Sequence, residues 1–159
     1  MKLIICVILM LITTKECDKT QKDMVNNASQ EMMDRQSQEI EKMTYQAATR
    51  GFFLKIWVEG DTLSYTNDYN LQDVKTHKIS EEQRTALNEK TSQFDMTKLS
   101  ELKSPSESHQ FDGAAIATFE VTKGDETYKT NAFDHQNPPK EIKALVEKLL
   151  SMKAMMEKQ

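Results

Sequence analysis

The sequence has few residues that cross-link a protein or bend its chain, and it has no strong excess of charge of one sign. Its 159 residues include two cysteines, four glycines and three prolines, and acidic side chains outnumber basic ones. The formal net charge is −4, and removal of residues 1–16, with two lysines and one glutamate, would make it −5. A surface of this charge lacks the basic face that binding to nucleic acid requires, so we expect no nucleic-acid partner.

Long apolar runs are also absent, apart from a short one at the start. Ten apolar residues, 3–12, follow Lys2. A run of this length is typical of the central region of a signal peptide and is too short to span a bilayer. The sequence therefore predicts export to the cell envelope. Since Cys6 lies within this run, Cys17 would be the only cysteine of the mature chain, and no internal disulfide bond could form.

Cys17 stands where a bacterial lipoprotein carries its lipid-modified cysteine. We therefore interpret residues 1–17 as a signal segment that ends at a candidate lipidation site, with membrane anchorage through the acylated Cys17. Lys15 and Glu16 occupy positions at which the lipoprotein peptidase accepts small residues. An unacylated protein, periplasmic or secreted, is therefore the alternative.

The rest of the chain divides by composition into a polar tether and one domain. Residues 18–43 are rich in Asn, Gln, Ser, Lys, Asp and Met and contain no aromatic side chain, which favours a tether. Periodic patterns occupy the remainder, so residues 44–159 are predicted to form a single α+β domain. A chain of about 115 residues can bury one modest core.

Two similar units are predicted within this domain. The first is a hairpin, with strands at 52–59 and 62–66, followed by a short strand at 74–79 and a helix that begins with the capping box Ser80 to Gln83. The second has strands at 115–121 and 126–133 and a final helix after Asn137, Pro138 and Pro139. This order predicts an antiparallel sheet of about five strands, two hairpins plus a short strand, with two helices packed on one face. The last helix would dock through an apolar stripe at helical spacing, namely Ile142, Leu145, Val146 and Leu149.

Part of the domain, 45–150, resembles a family of small uncharacterised lipoproteins or secreted proteins of flavobacterial type. The likeness rests on three sequences: Ala-Thr-Arg-Gly-Phe at 48–52, Asp-Gly-Ala-Ala-Ile-Ala at 112–117 and Phe-Asp-His-Gln-Asn-Pro-Pro at 133–139. The resemblance implies an envelope location and brings no activity with it. In element order alone the chain is also similar to small protease-inhibitor modules such as emfourin, which is an analogy of fold.

Few residues are candidates for catalysis. His135 follows Asp134, and Asp112 precedes the neighbouring strand, so these three would form a carboxylate and imidazole cluster if that end of the sheet closes. Capping of the loop before the last helix is the alternative use of Asp134. The histidines show no metal-ligand spacing and the serines no nucleophile elbow, so no metal, no cofactor and no serine hydrolase is predicted.

Three residues are candidates for binding. Trp57 and Phe53 alternate with the apolar set Phe52, Leu54, Ile56 and Val58, and would form an exposed aromatic pair if the helices cover one face only. Burial under the tether or in a dimer is the alternative. Arg50 precedes this strand and could hold a carboxylate, either Asp112 or Asp134 within the fold or an acidic group on a partner.

The sequence thus leaves three functions open. The first is a non-enzymatic binding module, inhibitor-like or otherwise, that engages a protein or another envelope ligand through its sheet. The second is a small envelope hydrolase that uses Asp112, Asp134 and His135. The third is a purely structural module.

Overall fold

A computed structural model of the protein describes residues 40–158, so the expected signal segment, Cys17 and most of the expected tether lie outside the described residues. The described part contains seven strands and two α-helices: β1 (Lys42–Thr49), β2 (Phe52–Glu59), β3 (Thr62–Thr66), β4 (Lys75–Lys78), α1 (Glu81–Thr91), β5 (Ile116–Lys123), β6 (Glu126–Lys129), β7 (Phe133–Asp134) and α2 (Lys140–Met156). Two short 3-10 helices, Met96–Glu101 and Ser108–Phe111, lie between α1 and β5.

The strands form one antiparallel sheet. Its order is β4-β3-β2-β1-β5-β6, and β7 also pairs with β5. The predicted α+β class with an antiparallel sheet is confirmed. The predicted number of about five strands is wrong, because β1 was not recognised and because the strand expected at 126–133 is two separate strands.

The unrecognised strand β1 lies at the centre of the sheet, between β2 and β5. Its side chains alternate between buried and half-buried, and the buried ones are Met43, Tyr45 and Ala47. None of these three is β-branched, which weakens the sequence pattern of a strand. The strand begins at Lys42, two residues before the expected start of the domain, so the last residues assigned to the tether belong to the sheet.

The return strand of the second hairpin is divided at Thr130. Its backbone N–H donates to the carbonyl of Phe119 over 2.9 Å, but its hydroxyl, and not its carbonyl, accepts the N–H of Phe119 over 3.0 Å. The Thr130 hydroxyl thereby replaces the backbone carbonyl in one of the two hydrogen bonds between Thr130 and Phe119, and regular pairing with β5 stops. It resumes as β7 at Phe133.

The predicted turns and helix start are confirmed. Gly60 lies in the turn of the first hairpin and Gly124 in the turn of the second, with φ angles of 55° and 57°. Glycine adopts this conformation without a steric clash, because it has no Cβ. At α1, the Ser80 hydroxyl accepts the N–H of Gln83, and the Gln83 side chain accepts the N–H of Ser80, which completes the capping box.

The core is a single cluster to which the sheet and both helices contribute. The predicted stripe of α2 is buried, and each of its four members is at most 1 % exposed. Met152 continues the stripe one turn further and is equally buried. From the sheet, alternate side chains of the central strands join the cluster, including Tyr45, Ile56 and Phe119.

Candidate functional site

The sheet side chains that alternate with the core residues form a second surface, which we call the outer face. Cross-strand pairing of Trp57 with Thr44, and of Thr44 with Glu120, sets these side chains in rows across the sheet. On the four central strands the outer face consists of Lys42, Thr44, Gln46 and Ala48; Phe53, Lys55, Trp57 and Glu59; Thr62, Ser64 and Thr66; and Ile116, Thr118, Glu120 and Thr122. Of these, Ser64 and Thr66 are buried. Hydroxyl side chains are the most frequent, and Ile116 is 49 % exposed.

Trp57 lies near the middle of this outer face. Thr44 and Ser64 are its cross-strand neighbours, and the ammonium group of Lys55 lies 5.7 Å from the centre of the indole. The predicted alternation along β2 is confirmed from Phe53 to Val58, because Leu54, Ile56 and Val58 are buried while the side chains between them are half-buried.

A groove of about 480 Å³ opens at one end of the sheet, between the β1–β2 turn and the loop after β3. Its walls include Ala48, Gly51, Phe52, Phe53, Asp68 and Tyr69. The rings of Phe53 and Tyr69 are 5.3 Å apart and meet edge to face. Tyr69 is 75 % exposed and Phe52 is 37 % exposed, which places aromatic surface in contact with solvent at this end.

Arg50 lies in the β1–β2 turn, beside this groove, and its side chain is exposed. The internal salt bridge predicted for it with Asp112 or Asp134 is not found, and among residues 40–158 its guanidinium has no ion-pair or hydrogen-bond partner. Asp134 already accepts hydrogen bonds from Ser106, Ser108 and His109, and Asp112 is exposed at the end of the second 3-10 helix.

Asp134 is 3 % exposed and fastens the 104–111 loop to β7. One carboxylate oxygen accepts the Ser106 hydroxyl at 2.5 Å and the Ser108 N–H at 2.9 Å. The other accepts two groups of His109, the backbone N–H at 2.8 Å and the ring Nδ1–H at 2.5 Å. Asn137 donates to the Ser106 hydroxyl oxygen, so Ser106 both donates and accepts within the network.

These hydrogen bonds determine the charge state of Asp134. Burial favours the neutral acid, but the donors from Ser106, His109 and Ser108 outweigh it and hold the pKa of Asp134 well below its usual range. Since the unfolded chain has the higher pKa, the ionised carboxylate stabilises the fold above about pH 4, and this stabilisation is lost as the pH falls further.

His135 binds a different partner from its neighbour Asp134. Its Nδ1 lies 2.7 Å from the hydroxyl of Tyr45, and its ring is 5.3 Å from that of Phe52. Burial raises the pKa of Tyr45 to about 12, so the hydroxyl remains protonated and donates to a neutral imidazole. Burial also lowers the pKa of His135.

The three residues predicted as a catalytic cluster are therefore not brought together. Within residues 40–158, no hydrogen bond joins Asp134 to His135 or to Asp112, and Asp112 is exposed. His109, the imidazole that Asp134 does contact, was not a candidate from the sequence. The two are 25 positions apart, and no local pattern in the 104–111 loop indicates the pairing.

A larger hollow of about 690 Å³ lies at the opposite end of the sheet, where α1 begins. Of its four charged lining residues, Asp61, Lys78, Glu81 and Arg84, two form an ion pair, because Arg84 donates to the carboxylate of Asp61. Asp61 was interpreted as a turn residue, and it also anchors the first turn of α1.

In the described part of the chain, no group of three or more His, Cys, Asp or Glu side chains is placed to hold a metal ion. Nor is any helix between residues 40 and 158 both long and apolar enough to cross a membrane.

No model of a known protein family matches the sequence. No curated protein matches it either.

Proposed function

We propose that this protein is a non-enzymatic binding module of the cell envelope that engages a protein or envelope ligand through the outer face of its sheet. The observation that carries the proposal is the pair of half-buried aromatic side chains, Trp57 and Phe53, with the half-buried Thr44 beside Trp57, on the side of the sheet that alternates with the core.

The distribution of the core supports this proposal. Both helices contribute their buried residues to the same cluster as Tyr45, Ile56 and Phe119, so they cover the core side of the sheet. Two helices on one face leave the outer face as the broadest surface of regular structure that can meet a partner.

The side chains of the outer face are of types that suit recognition of a partner. An indole provides a large rigid contact area, and the half-buried hydroxyl group of Thr44 beside it can exchange hydrogen bonds with a partner at little cost in side-chain entropy. Aromatic side chains surrounded by polar groups are typical of the centres of protein interfaces.

The envelope location rests on residues 1–17 alone. Intact-mass spectrometry of the protein from its native host tests it. We expect a chain that begins at Cys17, with the added mass of acyl groups if the protein is a lipoprotein. A chain cut at Cys17 without acyl groups would remove the membrane anchor, and a chain that still begins at Met1 would refute export.

The hydrolase and the structural module remain the alternatives, and no observation favours either of them. All hydrogen bonds of the Asp134 carboxylate go to loop donors, and the Ser106 hydroxyl binds that carboxylate, not an imidazole. These contacts suit a residue that holds a loop in place.

Site-specific photo-crosslinking tests the binding proposal. A photoreactive phenylalanine analogue replaces Trp57 in one variant and Lys143, an exposed residue of α2, in the other. In the native envelope, the analogue at position 57 should give a discrete crosslinked product, while the analogue at position 143 should give none of that size. The same product from both positions, or none from position 57, would contradict the use of the outer face.

A further inference from the structure

Strand β4 is one of the two edges of the sheet, and its outer side is open to solvent. Only β3 pairs with it in the described part of the chain, and residues 71–76 and Lys78 are all exposed. The other edge strand, β6, is covered differently. The 3-10 helix Met96–Glu101 packs against it, and Asn131 donates to the carbonyl of Ser100 at 2.7 Å. The edge at β4 is therefore the one to which a further strand can be added.

The register of β4 shows which of its backbone groups face outward. The N–H of Ile79 donates to the carbonyl of Asp61 at 2.9 Å. Since hydrogen-bonded pairs alternate along an antiparallel ladder, the backbone groups of His77 and Lys75 also face β3. Those of Thr76 and Lys78 face away from it, and among residues 40–158 they have no hydrogen-bond partner. They are available to bond an extended chain.

The side chains of this edge are basic, although the protein as a whole is acidic. β4 contains two exposed lysines, Lys75 and Lys78, and no carboxylate. Within residues 40–158, no ion pair engages either of them. Asp61 and Glu81 line the same hollow as Lys78, but Asp61 is paired with Arg84. Both lysines can therefore meet acidic groups of a partner.

The two lysines lie on opposite faces of the sheet. Lys78 is paired with Thr62 of the outer face, whereas Lys75 is paired with the core residue Tyr65, and its ammonium group lies 6.0 Å from the centre of that ring. In an added antiparallel strand, the residues opposite Lys78 and Lys75 would be three positions apart and would also point to opposite faces. Acidic residues at these two positions would each face a lysine of β4.

We propose that β4 receives an extended segment of a partner protein as a further antiparallel strand, and that this segment has acidic residues three positions apart. Addition of a strand to an exposed sheet edge is an established mode of peptide recognition, in which main-chain hydrogen bonds give affinity and side chains give specificity. An antiparallel strand continues the pattern of this sheet. The inference goes beyond the proposed function, because it uses the edge of the sheet and not its outer face.

A second copy of the chain fits this edge less well than an acidic segment does. Pairing of two β4 strands would bring the lysines of both copies together, and like charges on neighbouring strands oppose pairing. Lysines on an edge strand are a common means of preventing such self-association. The same side chains that oppose a second copy favour a strand of opposite charge.

The test uses the full-length chain and the peptide Thr-Val-Glu-Thr-Val-Glu-Val-Thr with blocked ends, whose first glutamate is placed opposite Lys78 and whose second is placed opposite Lys75. NMR titration should show binding, and the amide hydrogens of Thr76 and Lys78 should exchange more slowly in the complex because they gain acceptors. The same peptide with lysine in place of both glutamates should bind about tenfold more weakly.

N-methylated peptides distinguish strand addition from a purely electrostatic contact. The second valine lies opposite Thr76, so its N–H faces β4, and a methyl group on this nitrogen should weaken binding about tenfold or more. The threonine between the glutamates lies opposite His77, so its N–H points away from β4. A methyl group on that nitrogen should change binding by less than about twofold.

Reversal of charge on β4 tests the specificity. Lys75→Glu together with Lys78→Glu should invert the preference, so that the lysine peptide binds better than the glutamate peptide. Lys140→Glu together with Lys143→Glu makes the same change in net charge at exposed positions of α2 and should leave the preference as it is. Because all four side chains are exposed, unchanged melting temperatures will show that both variants are folded.

No binding of the glutamate peptide, equal effects of the two N-methyl groups, or an unchanged preference after reversal on β4 would overturn the inference. These outcomes leave the proposed function intact, because photo-crosslinking at position 57 tests the outer face separately.

Discussion

Replacement of Leu145 by alanine measures how strongly α2 is held on the core. Leu145 is 1 % exposed, and its neighbours in the stripe, Ile142, Val146 and Leu149, are completely buried. A fixed helix backbone prevents these neighbours from closing the cavity, so the cost should lie in the upper part of the usual range, about 3 to 5 kcal/mol. A domain of about 120 residues has roughly 5 to 15 kcal/mol of stability, so this single change should remove a large share of it.

Urea unfolding of fragment 40–158, followed by the fluorescence of Trp57, measures this free energy. The midpoint should fall while the slope stays constant, and the melting temperature should fall by about 10 to 20 °C. Lys143→Ala is the control on the same helix. It removes only an exposed ion pair with Glu147, at 3.9 Å, and should change stability by less than about 0.5 kcal/mol. Equal small effects from both variants would show that the stripe is not packed against the sheet.

Three further predictions concern pH, the 104–111 loop and the domain boundary. The free energy of unfolding should fall as the pH drops below about 6.5, because burial lowers the pKa of folded His135 and protonation removes the acceptor for the Tyr45 hydroxyl. In urea titrations at several pH values, His135→Gln should remove this pH dependence, and an unchanged pH dependence would refute the assignment. Asp134→Asn should leave the sheet folded but speed hydrogen exchange at the two loop amides that the carboxylate now accepts, and unchanged exchange would show that the loop does not depend on it. Fragment 40–158 should unfold cooperatively, whereas fragment 45–150 should be clearly less stable because it lacks the buried side chains of Met43 and Met152. Equal stability of the two fragments would contradict the assignment of β1.

The sequence identifies those elements whose pattern is local. The alternation along β2, the glycine turns at Gly60 and Gly124, the capping box at Ser80 and the stripe of α2 each depend on residues close in the chain, and the structure confirms them. The central strand β1 was missed because its buried set is Met, Tyr and Ala. Its burial depends on β2 and β5, to which it pairs, and this pairing is not visible in its own residues.

The candidate site divides in the same way. Trp57 and Phe53 could be placed on one side of β2 because strand side chains alternate. The partner of Asp134 could not be identified, since His109 lies 25 positions away in an irregular loop. The groove was also beyond prediction, because Phe53 and Tyr69 meet only through the pairing of β2 with β3 and the path of the loop that follows.

The proposed function requires that a partner cover the outer face in the envelope, and hydroxyl-radical footprinting of intact cells measures this coverage. Trp57 is the reporter, and Met155, which is 54 % exposed near the end of α2, is the internal control. We expect Trp57 to be oxidised more slowly in the envelope than in the purified protein, while Met155 reacts equally in both. Equal oxidation of Trp57 in the two states would refute the proposed use of the outer face.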